Sequence, residues 1–369
     1  MYHPHIGDSL DSLDTPAMIV DLTLMEENIA RLMKRFQEKK VDVRPHLKTV
    51  KSPDLARLML AAGAVGGCVA KVSEAEVMVQ AGIDDLMITT EIVGVPKLRR
   101  LIALAQQHPR IKVVVDSVAG AQALNKALGE AKLEMNVLLD LNVGQNRTGV
   151  QPGEEALTLA HACGKLANIH LVGIHGYEGH LQHVHSEEER VQRCQQAMKA
   201  LTATAAQLRA EGFPIETVTT GGTGTAEICA DFGGITEVQP GSFIFMDVDY
   251  RNAIGTANYA HALTILSTVI SRPATPTRAV VDAGLKSLST DSGMPEPKGL
   301  AGVSYRPGGD EHGILTGMES AGVKLEVGDR VELIPSHIDT TINLHDYYYA
   351  HRNGILEAIW PVATRGKVQ

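Results

Sequence analysis

Eight short β-like runs alternate with helical stretches over roughly the first 250 residues, and this alternation limits the fold more than any other feature of the chain. The runs fall at 41–48, 64–70, 84–90, 111–116, 135–142, 169–177, 216–220 and 236–246. Between them lie amphipathic segments. Residues 22–40 open with Thr23-x-x-Glu26, read as a capping box, and place Leu24, Ile29, Leu32, Met33 and Phe36 at helical spacing. Residues 187–211 open with Ser186 and Glu189 as a second box, carry a stripe through Val191, Cys194, Met198, Leu201, Ala205 and Leu208, and stop at Gly212.

Eight strand–helix units in about 250 residues match a (β/α)8 barrel in count and length. A doubly wound open sheet competes, because a strand count does not establish closure. From about residue 255 the texture changes to β-like runs joined by Gly- and Pro-rich turns. The expected fold class is therefore α/β: a (β/α)8 TIM-like barrel over 21–250 and a C-terminal all-β domain made of 1–20 plus 251–369.

Composition excludes several partners. The chain has 34 Lys and Arg against 43 Asp and Glu, a net charge of −9, which argues against nucleic acid and against an anionic membrane surface. Hydrophobic residues at 44% and charged residues at 21% suit a soluble globular protein. Four cysteines without a C-x-x-C spacing read as reduced thiols in a cytoplasmic protein. The polar N-terminus has no apolar signal core, and no apolar run is long enough to span a bilayer. The expected partner is a small molecule, with a homodimer as the expected assembly.

Barrel active sites form at the carboxyl ends of the strands, and five groups of residues stand there. Lys48 closes the first run in Arg44-Pro-His-Leu-Lys-Thr49. Arg147 follows the fifth in Asn142-Val-Gly-Gln-Asn-Arg-Thr-Gly149. Tyr177, His180 and His183 follow the sixth. Gly221-Gly-Thr-Gly-Thr225 follows the seventh, and Gln239-Pro-Gly-Ser242 lies in the eighth. A lysine is ordinarily a solvated surface charge; at the mouth of a barrel it is partly desolvated and suited to Schiff-base chemistry. The Gly/Thr segment is either a plain turn or a phosphate cradle of backbone N–H groups and hydroxyls. His180, His183 and His185 are close enough in sequence to form a metal cluster. In the C-terminal part His337 and Asp339 are two residues apart, so on a strand they would share a face and could share a divalent cation. No G-x-G-x-x-G in a βαβ frame, Walker loop, H-E-x-x-H or G-x-S-x-G is present.

Asp14-Thr-Pro-Ala-Met-Ile-Val-Asp21 followed by Arg44-Pro-His-Leu-Lys-Thr49 resembles the opening of the fold-type-III, alanine racemase-like pyridoxal-phosphate enzymes, and the resemblance runs over nearly the whole chain. Within that class the R-P-H-x-K-T segment with a late H-x-D pair is most similar to the D-threonine aldolase and D-serine dehydratase branch. The resemblance implies pyridoxal 5'-phosphate as cofactor, carried on Lys48, with Arg147, Tyr177, Gly222 and Thr223 binding it. It implies His183 as the base for the substrate's β-hydroxyl, and His337 and Asp339 as the metal pair. Dehydratases of this branch carry Cys where Asp339 stands; the harder carboxylate favours Mn²⁺ or Mg²⁺, with Zn²⁺ possible. The implied reaction is metal-dependent retro-aldol cleavage of D-3-hydroxy amino acids, D-threonine giving glycine and acetaldehyde. D-serine dehydratase and D-3-hydroxyaspartate aldolase share these parts. An amino-acid racemase and a non-catalytic cofactor carrier are the readings from other classes.

Overall fold

The computed structural model describes residues 4–275 and 277–369; residues 1–3, at the start of the expected β domain, and 276 lie outside the described ones. The chain divides into two compact units. One comprises Met1–Arg31, Thr49–Ser52 and Ser242–Arg365; the other comprises Leu32–Lys48, Pro53–Gly241 and Gly366–Gln369.

Strand β1 (Ala17–Asp21) leads directly into α1 (Leu22–Lys39). The cap of α1 corrects the expected box. The helix starts at Leu22, so Thr23 is already inside its first turn, and Asp21 takes the capping place by accepting from Leu24 N at 3.1 Å. Thr23 and Glu26 instead receive Arg352, at 2.8 Å to the threonine hydroxyl and 2.9 Å to both glutamate oxygens.

The barrel unit holds eight parallel strands: β2 (Asp42–Val43), β3 (Gly67–Val69), β4 (Leu86–Ile88), β5 (Lys112–Val115), β6 (Met135–Asp140), β7 (Ile169–His175), β8 (Thr217–Thr220) and β9 (Glu237–Val238). Their order is β2-β9-β8-β7-β6-β5-β4-β3. The two ends of that order meet. His46, just past β2, bridges Cys68 of β3 in parallel, with Leu47 N donating to Cys68 O at 2.7 Å and Cys68 N to Pro45 O at 2.9 Å. The sheet is therefore closed, and the open doubly wound alternative is excluded. Helices α2 (Pro53–Ala61), α3 (Val72–Gln80), α4 (Val95–Ala105), α5 (Val118–Ala131), α6 (Glu154–Cys163), α7 (Glu187–Ala210) and α8 (Ala226–Ala230) separate the strands.

Local chemistry explains these elements. Ser186 caps α7 by accepting from Glu189 N at 3.2 Å, three glutamates follow in the first turn, where they favour the positive helix end, and Gly212 at φ +88° turns the chain out. Cys68, Met87, Val114 and Leu138, with Val172, come one from each of five neighbouring strands and pack as one cluster. Leu138 is fully buried, so truncating it to alanine costs about 2–5 kcal/mol. Near the seam, buried Arg44 donates to Glu237 at 2.8 Å and to Asp85 at 2.7 Å. A Cβ on Gly66 would lie 2.0 Å from that guanidinium, so only glycine fits there. The last run is shorter than 236–246. Pro240 cannot donate to a ladder, β9 ends at Val238, and the chain passes at Ser242 to the other unit.

In that other unit α9 (Val248–Ile254) precedes a sheet of β10 (Leu263–Ser271), β11 (Ala279–Val281), β12 (Glu296–Pro297), β13 (Ser304–Pro307), β14 (Gly313–Thr316), β15 (Arg330–Ile334), β16 (Tyr347–Arg352) and β17 (Ile355–Pro361), joined by β1. Pairing is antiparallel except between β1 and β16. Two helical turns, α10 (Met318–Ala321) and α11 (Ile338–Ile342), are too short to leave a periodic signature in sequence. Among the described residues no helix is long and apolar enough to cross a membrane.

Candidate active site

Because β2–β9 run parallel, their carboxyl ends share one rim of the barrel, and the candidate residues of this unit lie just beyond those ends. Lys48 is half-buried in the turn that follows the His46–Cys68 bridge. The His46 imidazole braces that turn: Nδ1 accepts from Lys48 N at 3.4 Å, which leaves Nε2 to donate to the Thr89 hydroxyl at 3.0 Å.

Arg147 sits in the turn after β6. Asn142 Oδ1 shapes this turn by accepting from Gly144 N at 3.1 Å and Asn146 N at 3.0 Å. The Arg147 guanidinium lies over the Tyr177 ring, 5.5 Å from its centroid, in a cation–π stack. These are two of the expected cofactor residues brought together.

The Gly221–Thr225 turn is buried, and its hydrogen bonds reveal residues that spacing did not single out. Glu178, fully buried, accepts from Thr220 Oγ1 at 2.6 Å and Gly221 N at 3.3 Å on one oxygen, and from Gln182 Nε2 at 3.1 Å and the Thr225 hydroxyl on the other. Gln182 Oε1 accepts from Gly224 N at 2.9 Å. A Cβ on Gly222 or Gly224 would come within 2.5 Å or 2.3 Å of Gln182, so these glycines admit the 178–182 segment against the turn. Glu178 and Gln182 thus shape the turn that carries Gly222 and Thr223.

The histidine-rich loop after β7 does not form the metal cluster that its spacing allowed. His180, His183 and His185 are exposed, and among the described residues they do not converge with other ligand types. Burial, aided by Arg193, lowers the His180 pKa. The one close group of ligand-type residues described is Glu178 with Cys194 and Cys229, within 4.8 Å of one another. Both Glu178 oxygens already accept hydrogen bonds, and burial holds Cys229 protonated by pushing its thiol well up. The trio is a packed core contact.

A second buried polar cluster stands beside the Arg147–Tyr177 pair. Asp140 ends β6 and His175 ends β7; Asp140 Oδ1 accepts from His175 Nδ1 at 2.6 Å, and Asp140 Oδ2 accepts from Thr148 Oγ1 at 2.8 Å. Burial opposes charge on both, but each outweighs it for the other: Asp140 is held below the usual carboxylate range and His175 is raised. Glu91, in the loop after β4, is pushed up to about 7, first by burial and then by Asp140 and Asp116. Asp140 and His175 each close an apolar strand, which is the only signal that the sequence carried for them; their pairing came from the fold.

The Glu91 shift fixes a pH dependence. Its folded value, about 7, exceeds its ordinary value of 4.5, so the native state holds more protons between those values, and stability falls as pH rises through that window. Chemical denaturation at a series of pH values should show this loss in the parent protein and a flatter profile in Glu91→Gln. Equal slopes for the two proteins would refute it.

In the other unit, the structure corrects the expected setting of His337 and Asp339. His337 is the extended residue that precedes α11, and Asp339 lies in the first turn of that helix, so the two do not share the face of a strand. Asp291, which the spacing did not indicate, accepts from His337 Nδ1 at 2.8 Å and from Thr340 Oγ1 at 2.9 Å. Asp247 Oδ2 receives Ile338 N at 3.0 Å and holds the segment between the two residues. Burial, with Asp339 adding to it, pushes Asp247 up to about 7.

The residues fit the groups that this chemistry needs. An amine, a guanidinium stacked on a phenol and a buried glycine–threonine turn on one rim suit an aromatic aldehyde phosphate. An imidazole whose Nδ1 is engaged, leaving Nε2 for coordination, and, two residues on in the chain, a carboxylate whose Oδ1 is shielded from solvent are ligand types that suit a divalent cation. A closed parallel barrel with such a rim, in a chain that adds a largely antiparallel sheet, is the architecture of the alanine racemase class of pyridoxal-phosphate proteins.

Sequence and structure matches agree. Residues 20–249 match the alanine racemase N-terminal domain and residues 262–351 match a serine dehydratase domain. A D-threonine aldolase of Arthrobacter sp. is 39% identical over 362 residues, 98% of this chain and 95% of that protein. A 3-hydroxy-D-aspartate aldolase of Paracoccus denitrificans strain Pd 1222 is 36% identical over 369 residues, covering 98% and 94%. The crystal structure of D-threonine aldolase from Filomicrobium marinum superposes with a TM-score of 0.95 at 39% identity, over 99% of each chain. The chain belongs to the D-threonine aldolase and serine dehydratase branch of the alanine racemase-like, pyridoxal-phosphate-dependent family, and it is a lyase.

Proposed function

We propose that this lyase cleaves D-3-hydroxy amino acids by a retro-aldol reaction, with D-threonine giving glycine and acetaldehyde. The observation that carries the reading is the His337-x-Asp339 spacing: a carboxylate–imidazole pair favours a hard ion, Mn²⁺ or Mg²⁺, over the zinc that a thiolate in that place would select. The aldolases at 39% and 36% identity support it. When bound, pyridoxal phosphate supplies an electron sink for a bond breaking at Cα, and a divalent ion supplies a Lewis acid.

The chain's own residues do the rest. Lys48 holds the cofactor covalently through its Nζ. Arg147 and Tyr177 orient its ring, and Gly222 and Thr223 hold its phosphate. His337 and Asp339 hold the ion. His183, exposed after the short 3₁₀ turn Gly179–Leu181, would take the proton from the β-hydroxyl oxygen as the Cα–Cβ bond breaks; solvent water would supply the proton that Cα gains in glycine, and His183 would return its own to solvent.

The test is product identity. Incubation with D-threonine and D-3-hydroxyaspartate should release glycine and an aldehyde; a keto acid with ammonia would make the protein a dehydratase. His183→Ala should retain bound cofactor and lose turnover by ~10²–10⁴-fold, the usual range for a lost general base. Near-normal aldehyde release by that variant would remove His183 from the role.

A further inference from the structure

Asp140 is the point where two separate segments of the barrel rim meet. One of its oxygens receives His175 Nδ1 at 2.6 Å and the other receives the Thr148 hydroxyl at 2.8 Å. Thr148 directly follows Arg147, and His175 stands two residues before Tyr177. Arg147 and Tyr177 are the two halves of the stack at 5.5 Å. A single buried carboxylate, 4% exposed, therefore anchors both strands of chain that carry the stack.

We propose that Asp140 is a positioning residue for the cofactor site: it sets the geometry of the Arg147–Tyr177 stack by tying Thr148 on one side and His175 on the other. The proposal rests on the cofactor reading given above. Arg147 is exposed, on a turn with left-handed Asn146 (φ +54°), and a long side chain there has many rotamers open to it. Within the turn, backbone bonds at Asn142 and Val150 hold only its base: Asn142 N donates to Val150 O at 2.9 Å and Val150 N to Asp140 O at 3.0 Å. The Thr148 hydroxyl adds a charge-assisted bond next to Arg147 itself. Gly149 N, one residue on, reaches Asp116 Oδ2 at 3.4 Å and anchors the far end of the turn.

The experiment compares purified holoenzyme with Thr148→Val, Thr148→Ser and Asp140→Asn. The readouts are the visible and fluorescence spectra of bound pyridoxal phosphate, its release rate on dilution, and the unfolding midpoint. Thr148→Val, at an exposed position, should shift the spectrum and release the cofactor roughly tenfold faster, the loss of one hydrogen bond to a charged group, whereas a merely structural role would lower the midpoint and leave the spectrum unchanged. Thr148→Ser should restore both. Asp140→Asn should exceed Thr148→Val, and if it does not fold the Thr148 pair decides alone. A wild-type spectrum and release rate in Thr148→Val overturn the positioning role while leaving the cofactor reading intact. A parent protein with no visible cofactor band overturns the cofactor reading, and the positioning role with it.

Discussion

Lys48→Ala is expected to yield a folded, colourless protein that has lost the visible band of bound pyridoxal phosphate and turnover by roughly 10³-fold or more, as when a covalent catalytic group is removed. Lys48 lies just beyond the bridge that closes the barrel, half-buried, with its backbone N–H engaged by His46. Its own N–H bond to His46 and the closing bonds at Leu47 and Cys68 are made by backbone, so the side chain can be truncated without opening the seam. Lys126, with a side chain 81% exposed on α5, is the control and should tolerate the same change. Borohydride reduction followed by peptide mapping checks the assignment directly. A reduced adduct on any other lysine would show that Lys48 is not the cofactor's attachment point.

Removal of the divalent ion should have the next largest effect. Chelator is expected to abolish aldehyde release while the visible cofactor band persists, and Mn²⁺ or Mg²⁺ should restore activity. Asp339→Ala should behave like the chelated protein. Even residues that only orient a metal ligand are worth roughly 10–100-fold in metal affinity, so losing one of two ligands should exceed that. Asp339→Cys should shift preference toward zinc, because thiolate is the softer ligand. Titration of the ion by calorimetry checks affinity independently of turnover. Undiminished aldol cleavage in metal-free buffer would sink the metal-dependent mechanism and leave a metal-independent aldolase.

The periodic part of the architecture was legible from residues alone. All eight runs of the barrel contain the strands β2–β9, and the 187–211 helix is α7, because a period of 2 or 3.6 is a local property that each segment carries by itself. Lys48, Arg147, Tyr177, Gly222 and Thr223 could be placed on the rim for a related reason: in a parallel barrel, the end of a strand names the face. What stayed hidden was non-local. Closure depends on His46 meeting Cys68, 22 positions away in sequence, and no strand count contains that bond. Thr23 and Glu26 read as a cap until Arg352, from the far end of the chain, claims both.

The site divides in the same way. The residue types that the chemistry needs, a lysine, an arginine, a glycine–threonine turn and a His-x-Asp pair, are set by the sequence itself, as are the charge and composition that turn the chain toward a small molecule. The supporting carboxylates were decided only in three dimensions. Glu178 became the anchor of the glycine turn, Asp140 the partner of His175 and junction of two rim segments, and Asp291 the partner of His337, and each binds a group far from it in the chain. A buried carboxylate must collect enough donors to offset its lost hydration, and only the tertiary fold determines which donors come within reach.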